Sequence, residues 1–271
     1  MGYDVHASGL FTDAPAGEAV WFTHPIKRIM TDAMHLDLAG LLRLLGSPDI
    51  GAEDSGELFA LHRVPRGTTL VHEGGHAEAV YIVQAGSFKT VRTAEDGYEH
   101  VLGFSWRREV LGYDGVAGGR YAFAAVALED SQVVVLPLLG LDALRRRVPA
   151  LDAALQVLLS QQLRHAGEIA EVMAAVAADV RVARFLVQLS KRMAAYGQSP
   201  RRLLLRMNRR DIANHLGLAH ETISRSLRVL SAAELLRVDN RDVEILDLDG
   251  LKRCARSTRG MADEVALRAA A

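Results

Sequence analysis

A single cysteine, Cys254, stands among the 271 residues of this chain. One thiol cannot close a disulfide within the chain, and it cannot supply the roughly four thiolates that hold an iron–sulfur cluster. Long apolar runs are missing too. Although 49% of the residues are hydrophobic, no stretch approaches the about 20 consecutive apolar residues that span a bilayer. The start of the chain shows no basic region followed by an apolar stretch and a small-residue cleavage site. No secretory signal and no membrane partner are therefore expected, and the expected location is cytoplasmic.

An excess of either charge is absent as well, the formal net charge being −1. That average conceals a division. Residues 191–260 carry 15 Lys and Arg against 8 Asp and Glu, a net of +7, whereas residues 1–62 carry 3 against 9, a net of −6. Phosphate attraction is local, because salt screens charge over about 8 Å. The basic region is thus suited to nucleic acid, with Arg201, Arg202, Arg206, Arg209 and Arg210 as the expected phosphate contacts.

Within that region lies MNRRDIANHLGLAHETISRSLRVLSAAELLRVDNR, residues 207–241. Asn208 can cap a helix whose first turn holds Asp211 and whose apolar stripe is Ile212, Ala213 and Leu216; Gly217 ends it. A second helix, from about His220 to Ala232, puts Ile223, Leu227 and Leu230 on one face. Glu221, Ser224, Arg225 and Arg228 recur at i, i+3, i+4 and i+7 on the other. Two helices around a glycine turn, followed by a hairpin, form a winged helix-turn-helix, and its second helix enters the major groove N-terminal end first. Arg takes guanine O6 and N7, Glu accepts from cytosine N4, and Ser bonds to several bases. Glu221, Ser224 and Arg225 are therefore the base-reading candidates, with His220, Thr222, Arg228, Arg209 and Arg210 as secondary or phosphate contacts.

Upstream, residues 1–54 form an acidic extension containing an apolar helix candidate, Leu36 to Leu45, stopped by Gly46-Ser47-Pro48. Over 55–145, β-prone runs such as Thr69–Val71, Val80–Val83 and Val133–Leu136 alternate with turn glycines at Gly67, Gly74-Gly75, Gly86 and Gly97. That pattern reads as an antiparallel barrel or roll. A long helix after Pro149, reaching about Ala178, occupies 146–179. Its residues Leu155, Leu159, Gln162, Ala166, Ile169, Met173, Val176 and Val180 step by 4 and 3 in turn, the seam of a coiled coil, and predict a homodimer. The head covers 180–250 and a tail 251–271. His72-Glu73-Gly74-Gly75-His76 matches HExxH, the zinc-protease pattern, but paired glycines between β-prone runs predict a turn where that chemistry needs a helix. No metal site is expected.

The words RRDIANHLGLAHETISR at 209–225 and VPRGTTLVHEGGHAEAVYIVQAGSFK at 64–89 resemble the CRP/FNR superfamily of bacterial transcription regulators, most closely its FNR branch. The resemblance implies an α+β chain: an N-terminal double-stranded β-roll of the cyclic-nucleotide-binding kind, a long dimerisation helix and a C-terminal winged helix-turn-helix. It implies that Glu221 and Arg225 read a G·C pair, that Ser224 marks an FNR-type site similar to TTGAT-N4-ATCAA, and that the homodimer works on double-stranded DNA with RNA polymerase. It also implies that the heads reorient about Val176–Arg181. Two positions depart from the pattern: Ala219 replaces a hydroxyl N-cap, at a cost of about 0.5–2 kcal/mol, and His220 replaces a small apolar residue.

The signal is read mostly by exclusion. Without the cysteines, a [4Fe-4S] cluster of the FNR kind is ruled out. Cyclic-nucleotide-binding relatives carry an Arg-Ser/Thr-Ala phosphate cradle, whereas the matching stretch here is Gly119-Arg120-Tyr121-Ala122-Phe123-Ala124, with Arg120 one step out and so turned to the other face of a strand. Haem stays open as a cofactor, since His6, His24, His35, His62, His72, His76 and His100 all fall in the first hundred residues. So does an organic ligand in an aromatic pocket of Trp21, Phe22, Trp106, Tyr113, Tyr121 and Phe123, or oxidation of Cys254. An alternative from another class is a ligand-binding roll whose helix-turn-helix contacts protein.

Overall fold

The computed structural model describes residues 34–47 and 56–257. Along the chain run β1 (His35–Asp37), α1 (Leu38–Leu45), β2 (Leu58–Val64), β3 (Thr69–Val71), β4 (Ala79–Ala85), β5 (Phe88–Thr93), β6 (Glu99–Ser105) and β7 (Val110–Leu111). Then follow α2 (Gly115–Gly118), β8 (Ala124–Ala127), β9 (Ser131–Pro137), α3 (Leu141–Arg147), α4 (Pro149–Met173) and α5 (Ala178–Ala195). The last elements are β10 (Arg202–Leu204), α6 (Arg209–Leu216), α7 (His220–Ala232), β11 (Leu236–Asp239), β12 (Asp242–Ile245) and α8 (Leu248–Arg256).

Two antiparallel sheets, in strand orders β1-β2-β9-β4-β7 and β3-β8-β5-β6, make the roll. Alternating apolar residues fill its interior, among them Val64, Val71, Val83, Phe88 and Val133. One reversal depends on glycine: Gly86 has φ +90, and a Cβ there would collide with Ser131. The expected helix at Leu36 to Leu45 begins at Leu38, where Asp37 accepts a bond from the Gly40 N–H, and Leu36 belongs to a short strand instead. This α1 lays its leucines against α4 and the outer face of the β2-β9-β4 sheet in a second core.

The long helix corrects the expectation in two ways. It ends at Met173 rather than near Ala178, and the chain passes through 174–177 before α5 begins. Helix ends leave carbonyls without partners; here the Arg184 guanidinium donates to Glu171 O at 2.6 Å and that of Arg181 to Ala175 O at 2.7 Å, which stabilises the break. Val176 thus sits in the linker, 86% exposed, and Val180 belongs to the buried face of α5.

The second correction concerns the seam. Leu155 is 1% exposed, and with Leu159 it packs into the core shared with the roll of its own chain. Gln162 donates to Val110 O at 2.6 Å, again within the chain. At Leu155, Leu159 and Gln162 the face that the heptad spacing identified is covered from inside, whereas Ala166 and Met173 further along it are exposed. The exposed large apolar residues of α4 are Val157, Leu163 at 77% and Met173. Replacing Leu155 by Ala is expected to lower the unfolding free energy by about 2–5 kcal/mol, measured by urea denaturation; a loss typical of a solvent-facing site would show that the side chain is not a core residue.

Candidate nucleic-acid interface

The head begins with α5, whose Val180, Ala183, Leu186 and Leu189 are buried against α6, α7 and the three-stranded sheet β10-β12-β11. Asn208 caps α6 as its sequence implies. Its side chain accepts from the Asp211 N–H at 2.8 Å, and Asp211 accepts from the Asn208 N–H at 3.2 Å, a closed capping box. Gly217, at φ +61, ends α6 in the left-handed conformation that favours glycine. Ala219 precedes α7 with extended backbone and provides no side-chain cap, so the missing hydroxyl is a real deficit at the front of that helix.

Ile223, Leu227 and Leu230 are buried beneath α7. On the opposite face Glu221, Arg225 and Arg228 are exposed, with Ser224 and Thr222 half-exposed beside them and His220 exposed at the first turn. Among the described residues, the side chains of Glu221, Arg225 and Arg228 form no hydrogen bond or ion pair. An arginine and a carboxylate four residues apart on a helix, each left without a partner inside the chain, are free to bond to base edges.

The arginines proposed as phosphate contacts divide. Arg201 donates to Leu246 O at 2.9 Å, and Arg206 pairs with Glu129 of the roll at 3.1 Å. Arg209, half-buried, donates to Asn240 O at 2.6 Å in the turn between β11 and β12; burial pulls its guanidinium below the ordinary value. These three serve within the chain, whereas Arg202 and Arg210 are exposed and make no such bond. A cleft of about 330 Å³ opens between α6, the start of α7 and the wing turn, lined by Arg209, Arg210, His220, Asn240 and Arg241. Arg241 went unremarked in the sequence. Its signal was the Asp239-Asn240 turn, where Asn240 adopts φ +50 and brings the next residue back toward α6.

Residues 180–254 match the model of the Crp-like helix-turn-helix domain, and residues 61–147 match that of the cyclic nucleotide-binding domain. The transcriptional regulatory protein btr of Bordetella pertussis is 37% identical over 191 residues, covering 70% of this chain and 79% of that protein. The chain belongs to the CRP/FNR superfamily. Another relative, the fumarate and nitrate reduction regulatory protein of Escherichia coli strain K12, is 33% identical over 199 residues, 73% of this chain and 80% of its own length. Among solved structures, FixK2 from Bradyrhizobium japonicum superposes with a TM-score of 0.65 at 26% identity, over 73% of this chain and 98% of that one. The protein is a DNA-binding transcription regulator, not an enzyme.

The roll of this chain does not carry the Arg–hydroxyl phosphate cradle at Gly119 to Ala124. Tyr121, not an arginine, points inward: it is buried, and its hydroxyl donates to Ala79 O at 2.7 Å. Arg120 is exposed on the opposite side and donates to Gly74 O at 2.6 Å. The residues present do not fit a cyclic nucleotide held through an Arg–hydroxyl pair at this point.

The HExxH residues form a turn, in which Glu73 accepts from the Thr93 N–H at 2.8 Å, and no helix sets the two histidines one turn apart. The aromatic pocket is corrected as well. Trp106 stacks under the Arg192 guanidinium at 4.4 Å, Tyr113 packs against the α1–α4 core and Tyr121 lies inside the roll, so they line no common cavity. Trp21, Phe22, His6 and His24 lie outside the described residues.

Replacing Arg209 by Ala is expected to free the wing turn and weaken DNA binding, while leaving the salt slope near its wild-type value, because the lost group does not itself neutralise a phosphate. A slope lower by about 0.9 would make Arg209 a direct phosphate contact.

Proposed function

We propose that this regulator acts as a homodimer on a palindrome of the TTGAT-N4-ATCAA type, reading each half-site with Glu221, Ser224 and Arg225. The observation that carries the reading is the unpartnered Glu221 and Arg225 on the exposed face of α7, beside Ser224. His220 and Thr222 flank them at the N-terminal turn that enters the groove first, and Arg228 lies one turn on. Arg210 and Arg241 line the adjoining cleft and are the phosphate contacts. The basic charge of the head supports this reading.

A two-fold target calls for a two-fold protein. Leu163, Ala166, Ala170 and Met173 step by 3, 4 and 3 along the solvent face of α4 and supply the seam, in place of the inward-facing Leu155, Leu159 and Gln162. Ile169, half-buried, flanks that stripe. The roll carries the signal, a small molecule, a haem-bound gas or a redox event, and the bound dimer engages RNA polymerase in the cytoplasm.

Arg225→Ala is expected to cost about 1–3 kcal/mol on the palindrome and to relax preference at one base pair, with little loss on random duplex; equal losses on both would remove its base-reading role. Arg210→Ala should weaken all duplexes alike and reduce the salt slope by about 0.9. Leu163→Glu is expected to convert the dimer to monomer in sedimentation velocity while the thermal midpoint of the isolated chain holds. A variant that remains dimeric would move the seam elsewhere.

A further inference from the structure

The first helix of the helix-turn-helix is bound to the roll of its own chain. β6 is the edge strand of the β3-β8-β5-β6 sheet, and its outward backbone groups have no strand partner. An exposed strand edge is a row of unmet donors and acceptors. Here α6 supplies the partners. The Val101 N–H donates to Asn214 Oδ1 at 2.7 Å, Asn214 Nδ2 donates to Glu99 O, and His215 Nδ1 lies 3.1 Å from Val101 O. One turn earlier, Asp211 pairs with Lys89 of β5 at 3.0 Å, and both side chains are largely buried. Phe104 of β6 packs edge-on against Phe185 of α5 and against the His215 ring at 4.9 Å.

His215 is the titratable member of this contact. Its bond to Val101 O requires the proton on Nδ1, so in the neutral ring Nε2 is bare. A second proton would place a full charge on a buried ring between Phe104 and Phe185, a costly transfer. No carboxylate among the described residues lies within ion-pair distance of the ring. The charged groups around it are Arg192 on α5, Lys89 and Glu99 on the roll, and Asp211 on α6; Asp211 and Glu99 are both engaged by Lys89. Burial holds the imidazole below its ordinary range; the Val101 bond opposes it in part, and the Arg192 charge adds a smaller push downward.

We propose that the α6–β6 contact is a proton-sensitive latch that holds the head in its DNA-reading stance, with His215 as the group that releases it on acidification. The latch grips the side of α6 away from the reading face of α7, which stays exposed in the docked form. Docking is favoured with His215 neutral. The sign follows: the latch is at full strength above about pH 6.5 and weakens as pH falls and the released ring takes up a proton. If the docked ring stays neutral at pH 6, linkage to a released ring of ordinary pKa weakens docking about fourfold for each head between pH 8 and pH 6.

Amide exchange on the full-length protein without DNA tests this directly. Protection of the Val101 amide, corrected for the intrinsic pH dependence of exchange, is expected to fall about fourfold from pH 8 to pH 6. It should be pH-independent in His215→Gln, which keeps a donor but cannot titrate in this range, and in His215→Phe, which keeps an aromatic ring. Protection that does not change with pH in the wild type, or that changes equally in the variants, overturns the proton-sensitive part. The stance rests on the DNA-reading role proposed above. It is tested with Asn214→Ala, a change on the side of α6 that faces the roll. Weaker binding to the palindrome but unchanged binding to a single half-site is expected, and equal binding to the palindrome overturns the stance. If the wild type binds no duplex, the DNA reading fails while the exchange result still decides the latch.

Discussion

One carboxylate carries two structural duties in this protein. Asp211 closes the capping box that starts α6, the first helix of the helix-turn-helix, and it is the buried partner of Lys89 in the roll. The first duty fixes where α6 begins; the second fixes where it lies. A buried pair contributes little net stability when complete, but loss of one partner leaves an uncompensated charge. The arrangement therefore defines position more than it adds stability. Given α6, the glycine turn at Gly217 sets the direction of α7, and the burial of Ile223 and Leu230 sets its rotation. The outward aim of Glu221 and Arg225 follows from those constraints.

The use of arginine follows a similar logic. A guanidinium has five donors in a rigid fork, and a folded chain can use it to satisfy carbonyls that secondary structure leaves open. Arg181 and Arg184 do this at the break after α4, and Arg201 and Arg209 do it around the wing. Exposed head arginines with no such duty include Arg202, Arg210, Arg225 and Arg228; Arg241, the other proposed phosphate contact, reaches Arg206 O at 3.4 Å. Counting charge by region identified the basic head, but it could not separate arginines that hold the head together from those that face outward. That distinction depends on contacts such as Arg209 with Asn240, 31 residues away.

The same limit explains what was legible in the sequence. Elements whose signals are local were readable: the Asn208 cap, the Gly217 stop, the span of α7, and β3 at Thr69–Val71. The helix at Leu38–Leu45 was readable apart from its first turn. The first part of the expected seam, Leu155 to Gln162, faces inward because a 4-3 repeat identifies residues sharing a face and says nothing of what covers it; α1 and the roll cover Leu155. The end of α4 was hidden because no proline or glycine marks it, and the break is stabilised by arginines 6 and 13 residues further on. The roll–head contact joins residues more than 110 positions apart, beyond any periodicity.

The turn from Trp106 to Val110 shows how the parts are coupled. Arg108 adopts φ +72, an unfavourable conformation for a side chain of its size, and donates to Leu45 O at the end of α1. Val110 O accepts from Gln162 of α4. Between them, buried Glu109 pairs with Arg192 of α5 at 2.6 Å and accepts from the Tyr196 hydroxyl at 2.7 Å, while Trp106 lies under the same guanidinium. Five residues thus touch the N-terminal helix, the long helix and the first helix of the head. Strain at one residue persists only where its surroundings over-determine it, and three independent anchors do so here. A shift of the roll at this turn is mechanically shared by the long helix, whose outer face carries the proposed seam, and by α5, on which the reading helix is built. In the proposed dimer, each head would then receive a signal from the roll through the same side chains that fix its distance from the roll.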